Sequence, residues 1–416
     1  MWETLRQRDF SLLWVAGLIS LTGNWMLNIA LPVTVYQMTG SALAVGGMLL
    51  ARTLPGILFS SIAGVFVDRW ERRRTIVVVN LLLALSILPL LLVSSAEWLW
   101  LIYIVSFVQS TLNQFFVPAE NALLPLLSDP KLLVSANALN ALNNNLARLV
   151  GPALGGLIAP LLGLSGVVAI DVVTYVAAAV LAALISVTSH PGKSAVINAM
   201  SSTEIFSEWR DGIRLIWRER TVRILFILST LPAIGESVMY VLFVPFVTEV
   251  LHGDAFHVGG LMSAQAVGGL IGGVVISWVA IRVKTPRLLG VSAVIFGLVD
   301  LVLFNYSTFF TGLWVAYVLL VLAGPLVVGI GASYDTLLQT SVEDAYRGRV
   351  FGTFALTRSL FTLIGIAFAG FAADIVGIVP VINVQAYAYT LVGLMCLIAF
   401  RERALQRKFE SPAPGD

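Results

Sequence analysis

Every Lys and Arg of this chain lies at the N-terminus, in one alternating set of loops, in the C-terminal tail, or inside an apolar stretch. There are about twelve such stretches, each long enough to cross a ~30 Å hydrocarbon layer as a helix. They run over 10–38, 42–66, 75–95, 98–127, 138–163, 166–188, 222–250, 257–281, 287–306, 309–341, 350–377 and 380–400. Arg52, Arg148 and Arg358 are the basic residues in their interiors, Arg223 and Arg287 stand at their ends, and the other alternating set of loops holds none. Basic loops stay on the cytoplasmic side of a membrane, so both termini and the central loop are expected in the cytoplasm. Composition agrees: 12% of residues are charged, against about 25% in a soluble protein. The expected fold class is an all-α membrane protein with twelve transmembrane helices. No stretch reads as a basic nucleic-acid surface, and Cys396, the single cysteine, excludes an intrachain disulfide. The first stretch is too long for a signal-peptide core and contains Asn24 and Asn28, so it reads as a retained helix.

The stretches repeat near half the chain length. Val45-Gly46-Gly47-Met48-Leu49 recurs as Val258-Gly259-Gly260-Leu261-Met262. Gly23-Asn24 falls on Gly235-Glu236, and Glu120-Asn121 meets Asp335-Thr336. Six helices followed by six in the same orientation is a parallel repeat, an arrangement found in secondary transporters. The predicted domains are a six-helix bundle over 1–188, a cytoplasmic linker over 189–221, a second bundle over 222–402 and a tail over 403–416. Within the linker, Ser201-Ser202-Thr203-Glu204 has a capping-box pattern. Ile205, Trp209, Ile213 and Trp217 then share one helical face, opposite Arg210, Arg214 and Arg218. That helix either lies on the cytoplasmic leaflet or packs on the end of the bundle.

The loop after helix 2 contains Gly64, Asp68, Arg69, Arg72 and Arg73 at the spacing G-x-x-x-D-R-x-x-R-R. Here the chain resembles the major facilitator superfamily, although Glu71 stands where a second glycine is usual. Helix 5 carries Arg148-Leu149-Val150-Gly151-Pro152-Ala153-Leu154-Gly155-Gly156. This resembles the Gly-Pro motif of proton-driven exporters, with Ala138 and Ala147 in place of its first two glycines. Helix 8 carries Gly268, Gly269, Gly272 and Gly273, a small-residue face suited to close helix packing. The resemblance implies that helices 5 and 8 meet through Gly151, Gly155, Gly268 and Gly272. It also implies that Gly64, Asp68, Arg69, Arg72 and Arg73, with Pro152 and Gly156, take part in gating. Arg347-Gly348-Arg349-Val350-Phe351-Gly352, together with Arg52, resembles the macrolide-efflux and siderophore-exporter branch.

Ionisable residues inside a membrane are costly and mark candidate functional sites. Glu236 falls near mid-depth in helix 7 and Asp300 at similar depth in helix 9; these are the candidate proton-coupling acids. Arg52 and Arg148 fall mid-helix, and either could instead neutralise Glu236. Arg358 is expected nearer the cytoplasm. Glu120 and Asp335 read as repeat mates capping helices 4 and 10 against nearby Arg. In this fold helices 1, 4, 5 and 7 contribute to the central cavity. The candidate substrate-cavity residues are Asn24, Trp25, Asn28, Gln109, Asn113, Phe116, Asn144, Arg148, Tyr240 and Phe243 on these helices, with Arg52 on helix 2 and Gln265 on helix 8. An apolar, aromatic cavity with scattered amides and one acid suits an amphipathic, cationic molecule.

The function implied is secondary active transport: proton-coupled efflux of amphipathic small molecules, drug-like or siderophore-like, by alternating access. A lysophospholipid or another solute is the alternative cargo. An enzyme is not expected, since His190, His252 and His257 all fall in loops and no catalytic or metal-ligand spacing occurs. No cofactor is expected. The partners would be the small-molecule substrate, protons and the bilayer, and the chain would act as a monomer in a bacterial inner membrane.

Overall fold

A computed structural model of the chain describes residues 2–186, 210, 213, 214, 216, 217, 220–342 and 347–409. The described residues are helical throughout apart from short turns. The long helices are α1 (Arg8–Thr39), α2 (Ala42–Arg69), α3 (Arg72–Ile87) and α4 (Leu99–Leu123). A rod over Leu133–Ala183 follows. Then come α7 (Arg220–Pro245), α8 (Ala255–Ala280), α9 (Thr285–Asn305), α10 (Trp314–Ser341), α11 (Arg347–Val376) and α12 (Ile378–Phe409).

The Leu133–Ala183 rod holds two crossings. It has 51 residues, and a straight helix of that length would run roughly 75 Å, more than twice the membrane core. Gly163 breaks it, with φ 65° and ψ −174°, a backbone open to glycine and strained for residues with a Cβ. This gives α5 (133–162) and α6 (164–183). The 11 helices long and apolar enough to span a membrane therefore provide twelve crossings. Gly377, between α11 and α12, also has positive φ, 94°. It stands in the second half where Gly163 stands in the first, a repeat mate that sequence comparison missed.

Contacts divide the chain into two compact units, Met1–Met200 with Phe243–Ser263, and Ser201–Leu242 with Ala264–Asp416. In the first, α1 packs against the α5–α6 rod, α2 against α4, and α3 against α4 and the rod. In the second, α9 packs against α12 and α10. Residues 243–263 join the first unit through backbone-close contacts. A Cβ on Gly156 would lie 2.7 Å from the Ala255 carbonyl oxygen and 3.0 Å from Gly259 Cα. Ser263 Oγ donates to the Leu149 carbonyl at 2.8 Å, and the Tyr36 hydroxyl donates to Glu249.

Large apolar side chains point outward all along the helices, Leu85, Val173, Val274 and Phe371 among them. A helix in lipid needs no polar outer face. Most of the linker, including its capping box and the Ile205 and Trp209 positions, lies outside the described residues. Of the rest, Ile216 is fully buried in a cluster with Val222, Leu225, Leu337 and Phe354, while Trp217 is exposed. The described part of this helix therefore packs on the second unit through Ile216, off the predicted face. Trp217 is capped instead by the Arg223 guanidinium, 5.7 Å from its ring centre.

Candidate functional site

The repeat brings the same helix pairs together in each unit, with different chemistry. In the first unit α1 meets α6. Asn24 Nδ2 donates to the Tyr175 hydroxyl at 3.0 Å, Gln109 Nε2 reaches the same oxygen at 3.2 Å, and Asn28 Nδ2 donates to Asn24 Oδ1 at 2.9 Å. Gly23 gives the close approach, since a Cβ there would collide with Asp171 and Thr174. Asp171 is fully buried; its Oδ1 accepts from Thr174 at 3.1 Å and its Oδ2 has no partner.

In the second unit α7 meets α12 in the same way. A Cβ on Gly235 would lie 2.8 Å from Gln385 Cα. Tyr389, in the place of Tyr175, donates its hydroxyl to Glu236 Oε1 at 2.5 Å. Arg358 on α11 donates to Glu236 Oε2 at 2.7 Å. The ion-pair partner of Glu236 is therefore Arg358, on α11 of the same unit. The pair is open: the side chains are 42% and 54% exposed. Asp300 lies behind it on α9, 2% exposed, accepting from Gln385 Nε2 at 2.7 Å. Among the described residues Asp300 has no cation.

The other predicted residues fall as follows. Gln109 is buried and Phe243 nearly so, while Asn24, Trp25, Asn28, Arg52, Asn113 and Gln265 are half-buried. Asn144, Arg148 and Tyr240 are exposed. Glu120 is not an arginine-paired cap. It is 8% exposed, without an ion pair among the described residues, whereas its mate Asp335 is exposed. The side chains of Gly64, Asp68 and Arg69 lie outside the described residues. Arg73 donates to the Ile185 carbonyl at 2.7 Å and Arg74 pairs with Glu71 at 2.6 Å, so this basic turn is tied to the end of α6.

The glycines expected to join helices 5 and 8 pack inside their own units. A Cβ on Gly151 would collide with Trp25, and one on Gly155 would lie 2.8 Å from the Met26 carbonyl oxygen, so both face α1. Gly268 and Gly272 face Val321 and Pro325 of α10. The contact between α5 and α8 runs instead through Pro152, Gly156 and Gly259. A G-x-x-x-G spacing specifies close approach, not its partner.

Residues 1–412 match the family described as Transmembrane secretion effector, of the major facilitator transporters. The chain belongs to this family. Its secretion-effector relatives include Macrolide efflux protein A of Streptococcus pyogenes, 25% identical over 89% of this chain and 90% of that protein. Another is the Multidrug efflux pump Tap of Mycolicibacterium fortuitum, 28% identical over 94% and 95%. Among solved structures, a bacterial homologue of the iron transporter ferroportin in its inward-facing state aligns with a TM-score of 0.73 at 16% identity, covering 94% of this chain and 98% of that one. The nucleoside transporter NupG aligns at 0.72 and 13%, covering 94% and 99%. At these identities the structures establish the twelve-helix fold alone, and the family match makes the chain a multi-pass membrane transporter. They carry no cargo across. Among the described residues no group of three His, Cys, Asp or Glu could hold a metal.

Proposed function

We propose that this protein exports amphipathic small molecules in exchange for protons, by alternating access, with Glu236 as the proton carrier. The efflux names of its relatives support the direction. The observation that carries the coupling is the Glu236–Arg358 pair. It joins two spanning helices, α7 and α11, and it stands where the first unit has neutral Asn24. A carboxylate that cycles must be able to give up its cation. A half-exposed pair is more weakly held than a buried one where solvent reaches and screens it. Protonation of Glu236 removes the charge that holds Arg358 and leaves Tyr389 Oη without its anionic acceptor. Two helices, α11 and α12, are thereby released from α7 in one step. Asp300, buried and bonded to an amide, is the second candidate for the proton.

The cytoplasmic placement of both termini and of 189–221, the monomeric state and the bacterial inner membrane belong to the same proposal. So do gating by the Gly64–Arg73 turn and by the Pro152–Gly156–Gly259 contact. Everted membrane vesicles supplied with ethidium in the outer medium test the coupling. Wild type should transport only with a proton gradient, and Glu236→Gln should bind ethidium with little pH dependence from about pH 5 to 9 yet not transport. Gradient-driven transport by Glu236→Gln would move the proton to Asp300.

A further inference from the structure

Inside the first unit lies a cavity of about 150 Å³, walled by α1, α3, α4, α5 and α6. Pockets for drug-sized molecules run to about 300–1,000 Å³, so this one admits a single substituent. Its lining includes Asn80, Asn113, Asn140, Asn144, Tyr175 and Glu120, with no Lys or Arg among the described residues.

Three of the amides are anchored on their donor side. Asn80 Nδ2 donates to the Ile76 carbonyl at 2.8 Å, Asn113 Nδ2 to the Gln109 carbonyl at 3.0 Å, and Asn144 Nδ2 to the Asn140 carbonyl at 3.1 Å. Each of these nitrogens spends one of its two N–H groups on its own helix. Asn80 is 1% exposed and its Oδ1 has no partner. Glu120 adds a carboxyl to which no described residue donates a hydrogen bond. The Tyr175 hydroxyl accepts from two amides. Unsatisfied acceptors buried in a membrane protein cost free energy until a donor arrives.

We propose that this cavity is a subsite for a primary ammonium group of the transported molecule, with Glu120 as its counter-ion. An –NH₃⁺ brings three donors and no acceptor, matching a cavity that holds the Glu120 carboxyl and the unpartnered Asn80 oxygen. A quaternary ammonium brings the charge without the donors. An entering neutral amine would take up a proton held by Glu120, and an ammonium would meet the carboxylate; the bound pair is the same. The inference rests on the efflux reading but uses an acid other than Glu236.

The purified full-length protein should be titrated with ethanolamine, choline and sodium chloride at constant ionic strength and neutral pH, following tryptophan fluorescence and thermal unfolding. Ethanolamine should bind at least tenfold more tightly than choline. Glu120→Gln should abolish that preference, and Asn80→Leu, which keeps Glu120, should weaken ethanolamine several-fold. Equal binding of choline would mean that charge alone is read, and would overturn the donor argument. Saturable sodium binding that excludes ethanolamine would make the oxygens a metal-cation site and overturn it too. No response to ethanolamine in folded wild type also sinks the subsite. Glu236→Gln should keep the ethanolamine preference while losing gradient-driven transport, so the two proposals fail separately.

Discussion

The two units use one scaffold for opposite electrostatic ends. Tyr175 and Tyr389 occupy the same place on α6 and α12, each reaching across to the residue after a packing glycine on α1 or α7. In the first unit that residue is Asn24, and the network around it is built of amides. In the second it is Glu236, held by an arginine. A neutral interhelical bond inside a membrane is worth about 0.6 kcal/mol and does not respond to pH. Replacing the amide with an acid and supplying Arg358 puts an ion pair into the same geometry. The repeat therefore supplies a neutral joint in one unit and a charged joint in the other.

The largest expected effect tests whether the packing glycines belong to the units themselves. Gly155→Leu would push into the backbone of Met26 on α1, and Gly268→Leu into Val321 on α10. Both should lose most folded protein in detergent, measured by size-exclusion yield. Normal yields with arrested transport would return these glycines to a gating role. Gly156→Leu should instead fold and stop transport, because its neighbours are Ala255 and Gly259 at the edge of the 243–263 segment.

Next in size is the contrast between the acid and its amide mate. Glu236→Gln should reduce gradient-driven ethidium transport at least about tenfold, or 1.4 kcal/mol, with little loss of thermal stability. Asn24→Glu places an acid on α1 without an arginine bonded to it. It should cost about 2.5–3.5 kcal/mol, read as a drop in unfolding temperature. If Asn24→Glu is as stable as wild type, Arg52 already serves the first unit as Arg358 serves the second. A smaller difference separates the tyrosines. Tyr389→Phe should move the pH profile of transport, and Tyr175→Phe should leave it in place.

The smallest effect concerns the helix starts of α2 and α8. Ser41 Oγ accepts from the Ala44 amide at 3.3 Å. Its repeat mate Asp254 accepts from the His257 amide at 3.1 Å and from its ring at 2.6 Å. Burial pushes the Asp254 carboxyl up, but the bonds from His257 outweigh it and hold it below the usual carboxylate range. A depressed carboxyl contributes stability that is present above its unfolded value, near pH 3.9, and is lost as pH falls through the folded one. Asp254→Ser should cost a few tenths of a kcal/mol at neutral pH and remove that acid sensitivity. Stability curves below about pH 4 that match wild type would show that the carboxylate contributes nothing there.

The twelve crossings and the repeat were legible because lipid forces uniform rules: apolar length, and basic residues kept to one side. Glu236 was legible as an acid where the other half has an amide. Its partner was not, because Arg358 is on another helix and nothing near it in the sequence refers to Glu236. The glycine faces show the same limit, since spacing announces a close contact without naming the helix. Glu120 read as the twin of Asp335, yet one is buried in a cavity and the other exposed. Sequence symmetry does not carry burial with it.

The break at Gly163 has a practical consequence. Two crossings are joined with almost no loop between them, and Gly377 does the same for α11 and α12. Such turns offer little chain for an antibody to grip or a protease to cut. An epitope tag inserted at Gly163 would have to unwind a helix to show itself. Reporters meant for that face belong near Asp254, where the chain leaves its helices before α8 begins.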